Sequence, residues 1–268
     1  MVISKRTFVS FDELCPYQCK FCFSYGITRD RIRTTEEIVN SISNDDFDVI
    51  YVSQKNDNFA NPFRGLTLCQ QLFRKYTSNL FIITRNVLSD DEITELGKLK
   101  SHMLTKNRHM FVAISLNALA SINLCENENV VCTPEERIDF IKRLANKGFM
   151  PILMLRPVFP DSIIPVGECL QIIEQTHQYI SCVVSSGLGI NSDILKRLSM
   201  KESDFIYNEC QDYLQGAIDC DIKFVNVDYE IKQIYEKCSS LNVAIFDHSM
   251  PALNYILKII HKSSHMHL

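Results

Sequence analysis

The chain has 268 residues, 46% of them hydrophobic, and a formal net charge of −4, enough to bury one large α/β core or two small ones. No apolar run reaches the length of a membrane span, and the opening Met-Val-Ile-Ser-Lys-Arg lacks the apolar core of a secretion signal, so a cytoplasmic protein with no membrane partner is expected. Eleven cysteines, odd in number and irregular in spacing, make a poor disulfide framework and fit a reducing compartment, while the acidic balance argues against a nonspecific nucleic-acid binder but leaves room for a local basic groove.

Thr7–Phe11 reads as a first strand, and it feeds directly into Cys15, Cys19 and Cys22. Three thiolates on one short loop can hold three irons of a [4Fe-4S] cube. No fourth ligand follows locally: the next cysteine is Cys69 and the first histidine is His102. A closed structural zinc site takes four ligands, so an incomplete set points to an iron left open for an exogenous ligand. A zinc loop, or cysteines that pack as small hydrophobes, are the plainer readings of the same residues.

Downstream, Thr34 and Glu37 form a capping box that opens a helix. Asp48–Ser53 is a near-continuous apolar strand, and Thr67–Tyr76 reads as a helix. Leu80–Thr84 is a third strand, Ser89 to Glu92 caps the next helix, and Met110–Leu116 is a fourth strand. Thr133, Pro134 and Glu136 mark the clearest helix start, with Gly148 as its stop. Met150–Leu155 is a fifth strand ended by Arg156-Pro157, Val166–Gln175 a helix, and Tyr179–Ser185 a sixth strand. Apolar strands alternating with helices predict a parallel sheet with right-handed crossovers. Beyond it, Ser203–Tyr213, Tyr229–Leu241 and Pro251–His261 read as helices, and Ile222–Val227 and Val243–Phe246 as strands that extend the barrel or cap its mouth.

The Cys-Pro-Tyr-Gln-Cys-Lys-Phe-Cys run resembles the CxxxCxΦC signature of radical S-adenosylmethionine (SAM) enzymes, with Phe21 as the aromatic Φ. The resemblance implies an α/β fold, a partial (β/α)6 TIM-like barrel over residues 1–190 with a C-terminal α/β extension over 191–268. It implies a [4Fe-4S] cluster on Cys15, Cys19 and Cys22 whose open iron takes the amino and carboxylate groups of SAM. One electron then cleaves a carbon–sulfur bond, and the 5′-deoxyadenosyl radical removes hydrogen from a substrate. An electron donor such as flavodoxin or ferredoxin is the partner implied.

In α/β barrels the C-terminal strand ends carry the chemistry, so SAM contacts are expected after the strands. The family often has a Gly-Gly-Glu-like turn after strand two; here Ser53 and Gln54 occupy that place, which a polar loop tip explains equally well. Arg85 after strand three suits an anion or covers the rim with its stem. Ser115 and Asn117, two apart on strand four, face one way and suit the ribose hydroxyls. Arg156 suits the SAM carboxylate. Phe21 and Phe23 are expected to shield the cluster, and Gly187 and Gly189 to let backbone approach the adenine. Asp247-His248 can reach the barrel mouth, though a lone His near a helix start is more often structural. The remaining eight cysteines show no CxxC pair, so no second cluster is expected, with Cys125 and Cys132 the one pair left open.

Three stretches, Asn58–Leu66, Leu80–Asn86 and Thr133–Pro160, resemble the branch related to spore photoproduct lyase. That branch uses a cysteine near the end of strand two as hydrogen donor, where this chain has Ser53. The substrate class stays open between small molecule, peptide and nucleic acid. A nucleic-acid lesion lyase is one alternative, and a non-catalytic metal-binding or regulatory protein is another.

Overall fold

Short apolar runs each followed by a helix assemble, in the computed structural model, into a parallel sheet; the structure describes residues 2–26, 31–43, 46–53, 55–127, 132–208 and 222–265. The strands are β1 (Arg6–Val9), β2 (Val49–Val52), β3 (Asn79–Thr84), β4 (Met110–Ser115), β5 (Ile152–Val158), β6 (Cys182–Gly187), β7 (Gly189–Ile190), β8 (Lys223–Phe224) and β9 (Ala244–Phe246). The helices are α1 (Thr35–Asn40), α2 (Pro62–Lys75), α3 (Asp90–Leu104), α4 (Ile122–Cys125), α5 (Pro134–Asn146), α6 (Val166–Thr176), α7 (Ser192–Leu198), α8 (Asp228–Ser240) and α9 (Ser249–His265). The main sheet has seven strands in the order β1-β2-β3-β4-β5-β6-β9, every pair parallel, and β7 and β8 form a small antiparallel ribbon. The fold is a partial α/β barrel, open between β1 and β9. None of the described helices is long and apolar enough to cross a membrane.

Alternation along the strands divides the core in two. Ile50, Val52, Ile82, Val112, Ile114, Leu153, Leu155 and Val183 face outward against the surrounding helices. Val49, Tyr51, Phe81, Phe111, Ile152, Met154 and Val184 face inward, where Ala252, Leu253, Ile256 and Leu257 of α9 cover them. The last helix therefore fills the concave face, and Asn254 ties it to the start of β1 by accepting from the Ile3 amide (2.7 Å) and donating to the Ile3 carbonyl (2.9 Å).

Val243–Phe246 extends the barrel as a seventh parallel strand, because α8 returns the chain beside β6. The structure corrects three other sequence expectations. The fifth strand runs through Arg156 and Pro157, whose peptide is cis; the ladder to β6 shifts register there, where proline's missing N–H is tolerated. Helix α2 starts at Pro62, five residues early, because the Asn61 side chain accepts from the Arg64 amide and Pro62 fits the first turn. Of Ser203–Tyr213, Glu202–Asp204 is a single 3-10 turn and residues 209–213 lie outside the described residues.

Gly65 lets α2 press on the loop that follows β2. A Cβ there would lie 2.9 Å from the Asn58 carbonyl oxygen and 3.0 Å from the buried Phe59 ring. Neither is a flexible side-chain end, so the clash outweighs the ~1 kcal/mol helix-propensity gain of alanine. Gly65→Ala is expected to lose about 1–2 kcal/mol net, read as a lower melting temperature; a rise would show that α2 can retreat freely.

Candidate functional site

The cysteine loop leaves β1 on a fixed scaffold. The buried Asn58 side chain accepts from the Phe11 amide (2.9 Å) and donates to the Val9 carbonyl (3.1 Å). Asp12 accepts two bonds from Arg33, at 2.6 and 2.8 Å, and Glu13 pairs with Arg64 at 2.7 Å. Within the loop, Gln18 takes a left-handed backbone (φ 46) and its amide donates to the Cys15 carbonyl. The far end is held through backbone: Arg197 of α7 donates to the carbonyls of Lys20 (2.8 Å) and Cys22 (2.9 Å), and the Lys20 amide donates to the Cys125 carbonyl (3.0 Å). These bonds run through backbone rather than thiols, although the Cys22 sulfur also accepts from the Ser24 amide (3.3 Å).

All three cysteines line one cleft of ≈ 140 Å³, with Tyr17, Phe21, Ser53, Asp57, Arg85 and Ser115 among its walls. It lies at the C-terminal ends of β2, β3 and β4, the end where α/β barrels place their chemistry. Burial pushes the Cys19 thiol up to about 11, and Arg85 opposes that rise most strongly. Burial also raises Cys22, with the Ser24 amide and Arg85 working against it. Arg85 stacks on Phe21 at 5.1 Å. Although burial disfavours its charge, Cys19 and Glu126 hold its pKa above the ordinary arginine value.

Behind the cleft wall lies a buried ionic network. Glu126 accepts from Arg85 (2.6 Å) and from Arg137 (2.8 and 2.5 Å), and Arg137 also donates to the carbonyls of Ser115 and Cys132. Burial would raise the Glu126 pKa, but the two guanidinium groups more than offset it and hold it below the usual carboxylate value. Asp57 fixes the end of β3 by accepting from the Thr84 hydroxyl and the Arg85 amide. Burial raises its pKa against those bonds.

The cleft gathers Cys15, Cys19, Cys22, Phe21, Ser53 and Ser115; Gln54 lies outside the described residues. Ser53 has φ 104, a conformation that favours glycine, and its hydroxyl accepts from the Asn58 amide. Asn117 is not on the wall: it is buried and donates to the Pro157 carbonyl (3.0 Å). Arg156 is also away from the wall, inside the barrel near Tyr51. The space beside Gly187 is taken by Val227 and that beside Gly189 by Phe23, so packing accounts for both glycines. Asp247 and His248 are exposed and face each other at 3.7 Å. Tyr17, Asp57, Glu126, Arg137 and Arg197 escaped the sequence reading, since each arrives from a different loop or helix with no spacing signal.

The donor set suits a cluster with one open iron. Cys125 turns its thiol to the Ile122 carbonyl (3.3 Å) and Cys132 to Asn86 (3.3 Å), and neither is on the cleft wall. Among the described residues no three His, Cys, Asp or Glu side chains converge on a single metal ion. A cubane asks for something else, one thiolate on each of three separate irons.

No family model matches the sequence, and no curated protein matches it significantly. In fold, the chain is similar to a spore photoproduct lyase variant (TM-score 0.60, 12% identity, 90% of this chain and 75% of that one). It is also similar to a variant of that lyase with bound AdoMet and dinucleoside spore photoproduct (TM-score 0.57, 11% identity, 87% and 74%). SuiB of Streptococcus suis bound to S-adenosylmethionine matches at TM-score 0.61 and 10% identity, over 91% of this chain and 50% of that one. The class these likenesses define is a fold: a partial parallel α/β barrel. Two of the three similar structures hold S-adenosylmethionine.

Proposed function

We propose that this chain is a radical SAM enzyme that cleaves S-adenosylmethionine reductively and abstracts hydrogen from a substrate. The observation that carries the reading is the meeting of all three CxxxCxxC thiols on one cleft, at the C-terminal strand ends, with no other cysteine of the described residues on its wall. The fold shared with SAM-bound structures supports it.

Cys15, Cys19 and Cys22 would hold a [4Fe-4S] cluster and leave one iron for SAM. When bound, that cluster supplies the electron that breaks the carbon–sulfur bond, with release of 5′-deoxyadenosyl as the hydrogen acceptor. Arg85 offsets the negative charge of the ligating thiolates at close range, where a low dielectric makes a fixed cation effective. Phe21, wedged between Arg85 and Phe159, keeps water off that side. Ser53, in its glycine-like conformation, and Gln54 follow β2 at the place the family uses for the SAM amino group. Ser115, on the cleft wall, suits the ribose side, while Asn117 stands off the wall and holds the Pro157 carbonyl. An external one-electron donor of the flavodoxin or ferredoxin type, in a reducing compartment such as the cytoplasm, completes the system.

The lesion-lyase reading fares less well. Among the described residues the cleft wall offers no thiol beyond the cluster set, and Cys69 is fully buried in α2. Protein reconstituted anaerobically with iron and sulfide, reduced with dithionite and given SAM is expected to form 5′-deoxyadenosine. A protein that takes up zinc without sulfide and ignores SAM would favour a non-catalytic metal-binding role.

A further inference from the structure

We infer that the inside of the barrel, beside the cysteine cleft, carries an anion site built by Arg156, Arg6 and Tyr51, which takes a carboxylate or phosphate group of the substrate. Assigning the anion to a substrate rests on the radical SAM reading; the site itself does not.

The register sets the geometry. Arg6 is level with Val49 and Phe8 with Tyr51, so all four side chains share the concave face. The Arg6 guanidinium lies 5.5 Å from the Tyr51 ring centre and 5.2 Å from that of Phe8. Tyr51 is 4% exposed, and its fully buried hydroxyl lies within reach of Arg6 and Ser249 without a well-formed hydrogen bond to either. Burial raises its pKa, and nearby Arg6 and Ser249, the first residue of α9, restrain the rise. Arg156 stands two positions beyond the inward-facing Met154, at the irregular end of β5, close enough to Tyr51 and Arg6 to interact with both. Burial depresses its pKa, and among the described residues the titratable groups that act on it are Tyr51 and Arg6.

The balance of charge is lopsided. Two guanidinium groups and the N-terminal end of a seventeen-residue helix converge, and no carboxylate among the described residues pairs with either arginine. Arg6 is solvated at the rim, but a half-buried charge such as Arg156 is ordinarily paired and a buried hydroxyl ordinarily bonded. The cleft shows the contrast, since Arg85 and Arg137 are both paired with Glu126. An anionic group would satisfy everything left open here. A guanidinium grips a carboxylate or phosphate bidentately, the phenol donates one more bond, and the helix end favours negative charge. Entry lies between the unpaired edges β1 and β9, where Arg6 and Phe8 are exposed.

The test titrates reconstituted protein with malonate and with inorganic phosphate by calorimetry, at fixed ionic strength, with and without saturating SAM. Wild type is expected to bind one of them in the millimolar range whether or not SAM is present. Arg156→Gln should weaken that binding about tenfold or more and Tyr51→Phe about threefold, each step of ten being ~1.4 kcal/mol. The exposed control Lys147→Gln should bind as wild type does. The anion should also raise the melting temperature of wild type but not of Arg156→Gln, which checks that the variant is folded. Equal anion binding by Arg156→Gln overturns the site. Displacement of the anion by SAM, with weaker SAM binding by Arg156→Gln, overturns the substrate assignment and gives the guanidinium to the SAM carboxylate. If wild type binds no SAM at all, the radical SAM reading fails, while the titration without SAM still decides the anion site.

Discussion

A variant with Cys15, Cys19 and Cys22 all replaced by alanine is expected to hold no iron–sulfur cluster and to form no 5′-deoxyadenosine above background. The rate should fall by at least about a thousandfold, ~4 kcal/mol of barrier, because no residual thiol can hold the iron. The fold should survive. The loop is fastened through carbonyls and amides, by Arg197 on Lys20 and Cys22 and by Lys20 on Cys125, and alanine keeps all of those bonds. Only Cys19 of the three is buried, so the lost packing is about 1 kcal/mol. Iron and sulfide content, the visible spectrum and a melting curve separate lost chemistry from lost structure. Cys132→Ala, whose thiol turns to Asn86 away from the cleft, should keep the full cluster. A triple variant that still makes 5′-deoxyadenosine would end the functional reading.

What could be read from the chain alone follows from which forces are local. The helix starts at Thr34, Ser89 and Thr133 were legible because each capping box is complete within four residues, and all three form. The Asn61-Pro62 start of α2 carried the same kind of signal and was passed over in favour of the apolar spacing further on. Strands β2 to β6 were legible because burial on both faces makes them continuously apolar. The three residues of β9 were too few to tell a sheet strand from a cap. That α9 fills the concave face was not legible: an amphipathic stripe says that a face is buried, not against what. The same divide runs through the site. Cysteine spacing is local and brought three thiols to one cleft. The approach of Arg85, Glu126 and Arg137 is set by three separate crossovers, and no pattern in the chain announces it. Arg156 reads from the chain as a candidate partner for the SAM carboxylate, and whether it faces the cleft or the barrel interior depends on the irregular end of β5.

Glu126→Gln is expected to destabilise the protein by about 3–5 kcal/mol, the usual range for breaking a buried ion pair from one side. The magnitude follows from burial. The side chains of Arg137, Glu126 and Arg85 are 0%, 3% and 13% exposed, so the variant strands two guanidinium charges where water cannot reach them. The effect has a pH signature of fixed sign. The folded-state pKa of Glu126 lies below its ordinary value of 4.5, so its charge contributes stability that is fully present above that pH. That contribution is lost as pH falls through the lower folded value. The stability gap between wild type and Glu126→Gln, measured by urea unfolding, should be widest near neutrality and shrink below pH ~4. A gap under about 0.5 kcal/mol at pH 7, or one that widens in acid, would show that Glu126 does not carry the network. Pairing Glu126→Leu with Arg137→Met should recover part of the loss, since two apolar side chains of similar length need no partner. Recovery of stability without recovery of cluster content would place the second role of Glu126 in holding Arg85 against the cysteine thiols, a role that packing alone cannot replace.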